Sequence, residues 1–492
     1  MKKLHIKQFL LGITAAFCLV GCTELEEQPE GLLAPESFFA TEADYNAAAV
    51  GIYRNLYGNW SNFDFNNTFL MSGGSEDVTS RPPAANLKQY DEFNADPNNS
   101  LHVNVWRSLY RAINNANSLI ANAESSELSN LDGAVGQAYF LRGMSYFYLT
   151  QWWGEVPIIT IENQSDAANV GQSPVSDIYA VIISDLQNAE SLLPNAFPEE
   201  GKADRWSASA LLSKVYLTMA GWPLKDASGY ALARDKAKEV IDSGAFSLES
   251  DFADLWRADN KFTSSEWIFL FAGSSTAGSS TGSKHHHATR PGSEGGWSDW
   301  FSEARFFNEF PDSYRKEISF HTEFADGTPW QDGQFGQPYI AKFRDAGGPC
   351  GFNDAPCGGG EGDGFTPIIR YADVMLIYAE AANMAGSGPT SEAYEMVNMI
   401  RRRANNQDIG SPDPAVDLAP GLSQAQFDEA VLAERKWELA FENNRWFDLV
   451  RKEMVVEVNE GLYPNVSENN RLLPKPGTEV ELINGLEQNP GY

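Results

Sequence analysis

The 492-residue chain is predicted to be mainly α, a scaffold of paired helices interrupted by a loop-rich insertion over 262–365. Three observations predict this. Apolar residues recur at helical spacing through most of the chain before residue 244 and again after residue 366. Gly, Pro and N-cap residues cut those runs into segments of roughly ten to twenty residues, the ordinary length of globular helices. Between the two helical parts the period is lost, and Gly, Ser, Trp and Phe accumulate.

The elements follow in chain order. Lys2, Lys3 and Lys7 precede an apolar stretch, Phe9 to Val20, broken only by Gly12 and Thr14. A span of a ~30 Å hydrocarbon core needs about 20 residues, so this stretch fits a secretory signal over 1–21 instead. It ends Leu19-Val20-Gly21-Cys22, which resembles a bacterial lipobox. Small residues leave room for a peptidase, and the Cys22 thiol accepts lipid. Cys22 is the expected lipidation site and 22–34 the expected tether. Several acyl chains at ~0.8 kcal/mol per buried CH₂ make a firm anchor. The acidic run after Cys22 resembles the export signal of surface lipoproteins in Bacteroidetes.

Ser37 to about Tyr57 carries an apolar stripe. Leu101 to Ala123 sets Val105, Leu109, Ala112, Ala116, Leu119 and Ile120 on one face. Asp132 to Trp153 repeats Ala138, Leu141, Ser145, Tyr148 and Leu149, and stops at Gly154. Ser176 is the N-cap candidate of a helix ending before Pro194. Ser207 to Ala220 and Tyr230 to Ser243 form a further pair, the second closed by Gly244. After the insertion, Thr366-Pro367 offers an N-cap and a first-turn proline for Ile368 to Ala385. Ser391 to Ala404 and Ser423 to about Glu453 follow, then an extended Pro-rich tail. Such pairs suggest a tetratricopeptide-like scaffold, although the strict 34-residue signature is absent.

Charge and cysteine usage narrow the function. The net charge is −31, and loss of residues 1–21 removes three lysines and no acid, leaving −34. Nucleic-acid binding rests on basic patches, so it is not expected, and a neutral ligand is favoured over a polyanion. Cys350 and Cys357 share one loop, and in an exported chain they read as a local disulfide. No catalytic motif of the serine-hydrolase, zinc-protease or nucleotide-binding kind is present.

Several segments together resemble the SusD/RagB family of Bacteroidetes surface lipoproteins. One is Gly-Gln-Ala-Tyr-Phe-Leu-Arg-Gly-Met-Ser-Tyr-Phe-Tyr-Leu-Thr-Gln-Trp-Trp-Gly-Glu-Val-Pro (136–157). Gly-Lys-Ala-Asp-Arg-Trp-Ser (201–207) opens another. Pro-Ile-Ile-Arg-Tyr-Ala-Asp-Val-Met-Leu-Ile-Tyr-Ala-Glu-Ala (367–381) and Glu-Arg-Lys-Trp-Glu-Leu-Ala-Phe-Glu-Asn-Asn-Arg-Trp-Phe-Asp-Leu-Val-Arg (434–451) are the most recognisable. The tail Leu-Leu-Pro-Lys-Pro to Gln-Asn-Pro-Gly-Tyr matches the family ending. These motifs read as framework: Arg370 and Asp373 are spaced to pair on one helical face, with Glu380 two turns on.

The resemblance implies one SusD-like domain over 35–492, with its scaffold in 35–261 and 366–492. It implies a nutrient-binding protein, not an enzyme, on the outer face of the outer membrane. Such a protein presents a nutrient, most often a glycan and in some relatives a peptide, to a TonB-dependent, SusC-like transporter. Sugar rings stack on aromatic faces, so loop aromatics are the candidate contacts: Trp297, Trp300 and Trp330 in the insertion, and Trp60, Arg81 and Tyr90 near the N-terminus. No cofactor or metal is expected. His285-His286-His287 cannot all face one ion and read as an exposed or sugar-bonding loop. Asp312 to Arg315 and the acidic loop 353–363 do not have EF-hand spacing, so a structural Ca²⁺ is not indicated.

Overall fold

Thr41 opens the first helix. Its hydroxyl accepts from Asp44 N, and the Asp44 carboxylate accepts from Thr41 N at 2.7 Å, a capping box at the head of α1 (Glu42–Leu56). The computed structural model describes residues 38–57, 73–82, 85–196, 201–274, 283–345 and 362–492. The signal and tether, Cys22, Trp60, Cys350, Cys357 and residues 353–361 lie outside them.

The chain continues through β1 (Thr79–Ser80), α2 (Ala85–Asp91), α3 (Ser100–Glu124), α4 (Asp132–Trp153), α5 (Val175–Leu192), α6 (Arg205–Met219) and α7 (Ser228–Asp242). The insertion carries β2 (Trp267–Ala272), α8 (His285–Ala288), β3 (Trp300–Phe301), α9 (Ala304–Glu309), α10 (Tyr314–Ser319), β4 (Phe320–His321) and β5 (Tyr339–Ile340). It returns on β6 (Phe365–Arg370), followed by α11 (Tyr371–Ala385), α12 (Ser391–Ala404), α13 (Gln424–Glu438), α14 (Arg445–Arg451), α15 (Val455–Asn459) and α16 (Gly477–Leu482). Among the described residues no helix is long and apolar enough to cross a membrane.

Helices pack on their chain neighbours: α3 on α4, α4 on α5, α5 on α6 and α6 on α7. Helix α7 then packs on α11, and α11 on α12 and α13, so the helical layer continues across the insertion. The cause is apolar continuity. Trp106, Trp152, Trp153, Leu149, Leu211 and Met375 are all buried in one core, and each such side chain contributes about 1.5–3 kcal/mol on burial. The mainly helical scaffold with a loop-rich insertion is thus as the sequence predicts.

Several boundaries differ from expectation. Ser176 lies inside the first turn of α5, whose cap position is Pro174. Helix α6 starts at Arg205, ahead of the expected Ser207, because Asp204 caps it and Ser207 closes the capping box from the third helical position. Thr366 and Pro367 do not open a helix. They lie in β6, which pairs antiparallel with β2. Local capping chemistry yields here because buried backbone groups must find partners, and β2 supplies them. The helix from Ser423 also breaks: the turn after α13 puts Phe441 and Asn443 at φ 67° and 56° before α14 starts.

Arg370 does not pair with Asp373. As the last residue of β6 it points into a buried cluster of charges. Its guanidinium meets Glu266 at 2.7 Å, Glu438 at 2.7 Å and Glu442 at 2.8 Å. Arg403 also binds Glu438 at 2.6 Å, as does Arg315, which reaches Glu434 at 2.7 Å. Lys342 meets Glu442 at 2.9 Å and donates to two main-chain carbonyls. Four cations thus face four carboxylates in the interior. Arg315, Lys342 and Glu266 come from the insertion, and the rest come from β6 and the C-terminal scaffold. Asp373 pairs instead with Lys214 at 3.0 Å and Arg435 at 2.8 Å, and Glu380 with Arg451 and with Lys452 at 2.9 Å. The framework reading of these motifs holds, but the partners lie far away in sequence.

Candidate ligand-binding face

The face is built from the N-terminal loop and the insertion together. Residues 73–80 run through the interior. Glu76 accepts from Arg445 Nε at 2.9 Å, and Asp77 accepts from Phe441 N at 2.9 Å. These contacts fix β1, which pairs antiparallel with β3 in the register Thr79 to Phe301 and Ser80 to Trp300. Asp91 adds a second anchor, accepting from Ser80 N at 3.1 Å and from the Ser80 hydroxyl at 2.9 Å.

Just past that ribbon, Arg81 N donates to Asp299 O at 3.1 Å, and its Nε lies 3.0 Å from the Asp299 carboxylate. Burial raises the Asp299 pKa, and the Arg81 charge opposes that rise. The Arg81 side chain remains 42% exposed.

Trp297 lies two residues before Asp299. Its ring stacks on His287, with centroids 5.0 Å apart and planes 20° from parallel. The backbone holds it as firmly: Trp297 N donates to His287 O at 2.7 Å, and Ser298 N to Arg290 O at 3.1 Å. The turn requires glycine before it, because a Cβ on Gly296 would lie 2.2 Å from Arg290 O. The Ser298 hydroxyl meets the Tyr339 hydroxyl at 3.1 Å, tying the turn to β5. The half-buried Trp297 ring therefore has a fixed orientation, with one face on His287.

Beneath the turn, Glu294 bridges His321 at 2.8 Å and Arg344 at 2.7 Å. Burial opposes its charge, yet hydrogen bonds from those two groups hold its pKa down at about 2. Histidines 285 to 287 form α8 and are buried, contrary to the exposed-loop expectation. Burial pushes His286 down to about 3, assisted by His287 and Arg290. The described residues hold no cluster of three or more metal-ligating side chains.

The structure separates the candidates. Arg81 is tied to the turn that carries Trp297 through Asp299, two residues further on. Trp300 is 1% exposed, in β3, and presents no ring face. Trp330 is buried edge-on to Phe307, with centroids 5.6 Å apart. Tyr90 is buried in α2, its hydroxyl 3.0 Å from His102 Nδ1. A ring enclosed on both faces cannot stack on a sugar, so these three are packing residues. Sequence reasoning missed His287, the support under Trp297, and Asp299, the partner of Arg81. Asp299 sits within Gly-Gly-Trp-Ser-Asp-Trp-Phe and was open to view there. His287 carried no signal for stacking.

Comparison with known proteins agrees with this architecture. Residues 269–492 match the SusD family model, and residues 30–217 match a model described as starch-binding, associating with outer membrane. A SusD-like protein P2 of Formosa agariphila is 31% identical over all of this chain and all of its own. A SusD homolog of Bacteroides thetaiotaomicron superposes with a TM-score of 0.82 at 24% identity, covering 93% of this chain and 98% of that one. A laminarin-binding SusD-like protein gives 0.73 at 24% identity, covering 92% and 99%. Sequence motifs, full-length relatives and fold agree: the chain belongs to the SusD family.

Proposed function

We propose that this protein captures an oligo- or polysaccharide at the outer membrane and passes it to a partner TonB-dependent transporter. In this reading a lipid on Cys22 holds it to the membrane, facing the cell exterior. The observation that carries the proposal is Trp297. It is a half-buried aromatic ring of fixed orientation, two residues before the carboxylate that pairs with the part-exposed Arg81. The axial C–H groups of a sugar ring form an apolar patch that such a ring accepts, while Arg81 and Asp299 supply a donor and an acceptor for hydroxyls. The outer-membrane description of the matched family model and the laminarin-binding relative support a glycan.

Capture requires no turnover. A glycosidase needs a carboxylic acid whose pKa is raised, opposite a second carboxylate. Here Glu294 is held at about 2 between His321 and Arg344, and Asp299, which burial raises, is engaged by Arg81.

The test is titration of purified protein with a panel of neutral glycans and of peptides, in wild type and Trp297→Ala. Glycan binding that drops in the variant without product release supports the reading. Unchanged affinity in Trp297→Ala removes this face as the site. Peptide binding with no glycan affinity replaces glycan by peptide capture, and released product makes the protein an enzyme. Failure of a co-expressed TonB-dependent barrel to co-purify would remove the transporter half.

A further inference from the structure

Arg81 follows β1, and Asp299 precedes β3. Main-chain bonds clamp the two segments together. Arg81 N donates to Asp299 O at 3.1 Å, and the adjoining ribbon pairs Ser80 with Trp300. These bonds use neither side chain, so they keep the two residues opposite each other when a side chain is changed.

The side chains meet across that clamp. Arg81 Nε lies 3.0 Å from Asp299 Oδ1, with the arginine side chain 42% and the aspartate side chain 19% exposed. A guanidinium carries its N–H donors in a planar fork. Asp299 faces the Nε side, and the terminal nitrogens have no protein acceptor among the described residues. Arg290 and Arg344 also contact this turn, but both are buried, and Arg344 is bound to Glu294 at 2.7 Å. The hairpin that reaches Glu294 through Ala325 N carries the exposed Glu323 and Asp326. Among the described residues, Arg81 is thus the cation that a ligand on this face would meet.

A free guanidinium is a strong receptor for carboxylates and sulfates, because its fork matches two oxygens and carries a full charge. Beside Asp299 it keeps the donors and loses the net charge. A hydroxyl still finds its donors. An anion also meets the Asp299 carboxylate, and like charges a few ångströms apart repel on the same scale as the cation attracts. On the reading of the Trp297 turn as a glycan face, we propose that Asp299 sets the charge class of the ligand. By neutralising Arg81 it makes the face select an uncharged glycan over one that carries carboxylates or sulfates. The acidic balance of the whole chain acts in the same direction, but salt screens it beyond about 8–10 Å, so the local pair makes the selection.

Calorimetric titration with matched probes tests this: laminarin and a xylogluco-oligosaccharide, each neutral and each with its primary alcohols oxidised to carboxylates. Wild type should bind a neutral form at least about tenfold more tightly than its oxidised form, the scale of one charge near a surface. Asp299→Asn keeps the size and the main-chain bond, and thermal melts should show it folded. It should remove or reverse that preference through tighter binding of the oxidised form, and the gain should shrink as salt rises. Adding Arg81→Met to Asp299→Asn should abolish the gain. Equal wild-type affinity for the two forms, or an unchanged ratio in Asp299→Asn, would overturn the proposal. Weaker binding of the neutral probe in Trp297→Ala with an unchanged ratio in Asp299→Asn rejects the role of Asp299 alone. Wild-type binding in Trp297→Ala rejects the glycan face, and failure to bind any of the four probes rejects both.

Discussion

The interior joint around Arg370 and the face around Trp297 share the insertion and behave as opposites: the joint ties it to the C-terminal scaffold, the face to the N-terminal loop. At the joint, Arg370, Arg403, Glu266 and Glu438 are at most 1% exposed, and each carboxylate is shared between cations. At the face, one half-buried aromatic ring and one partly exposed ion pair lie in irregular chain. Two family motifs, 367–381 and 434–451, meet at the joint, and none lies in the turn that carries Trp297. Recognisable sequence here encodes how the insertion is held, while the proposed binding face rides on irregular chain.

Arg370→Ala leaves Glu438, Glu442 and Glu266 short of a cation in the interior, and breaking a buried pair costs about 3–5 kcal/mol. Chemical denaturation should show that loss, and the variant should also lose the glycan face, because β6 and β2 no longer hold the insertion. Retained stability would mean the joint is not what binds the two parts.

Trp300→Ala and Trp297→Ala separate packing from binding. Trp300 is enclosed, so its truncation should cost about 3–5 kcal/mol of stability. Trp297 is half-buried, so its truncation should cost little stability and should weaken glycan binding about tenfold, the scale of a lost aromatic contact. If both variants lose stability equally, Trp297 is a core residue after all.

A smaller effect follows pH. His286 is held down at about 3 and His102 at about 4, burial being the first cause of each. In the unfolded chain both titrate near ~6.5. Between those values the unfolded state binds more protons, so stability rises with pH across the window and is fully present above about pH 7. Thermal melts should show Tm falling as the pH drops below ~6.5, and His286→Leu should flatten that slope. A slope indifferent to the substitution would assign the pH dependence to other groups.

The smallest effect is at the surface. Arg81→Met removes a half-exposed pair worth about 0–1 kcal/mol of stability. It should leave Tm nearly unchanged while weakening glycan affinity several-fold. Unchanged affinity would confine recognition to the Trp297 ring.

Much of the scaffold was legible, and for local reasons. Val105, Leu109, Ala112 and Ala116 lie on one face of α3 at helical spacing, and all are buried. Gly154 ends α4 at φ 70°. The misreadings arose where a distant segment outvoted a local signal. Thr366-Pro367 has the local grammar of a helix start, but β2 claims it as a strand. Arg370 and Asp373 have helix spacing, but residues 266, 438 and 442 take the first, and 214 and 435 the second.

The sequence by itself determined the helical periods, the framework motifs and therefore the family, because these depend on residues within a few turns of one another. Only the tertiary structure decided which loop aromatics meet water. Trp297 and Trp300 are three residues apart in one loop, and the composition around them is the same. One stacks on His287 and stays only half-buried, and the other is enclosed beside β1. Exposure is set by what arrives from elsewhere in the chain, and here that was a strand more than two hundred residues earlier.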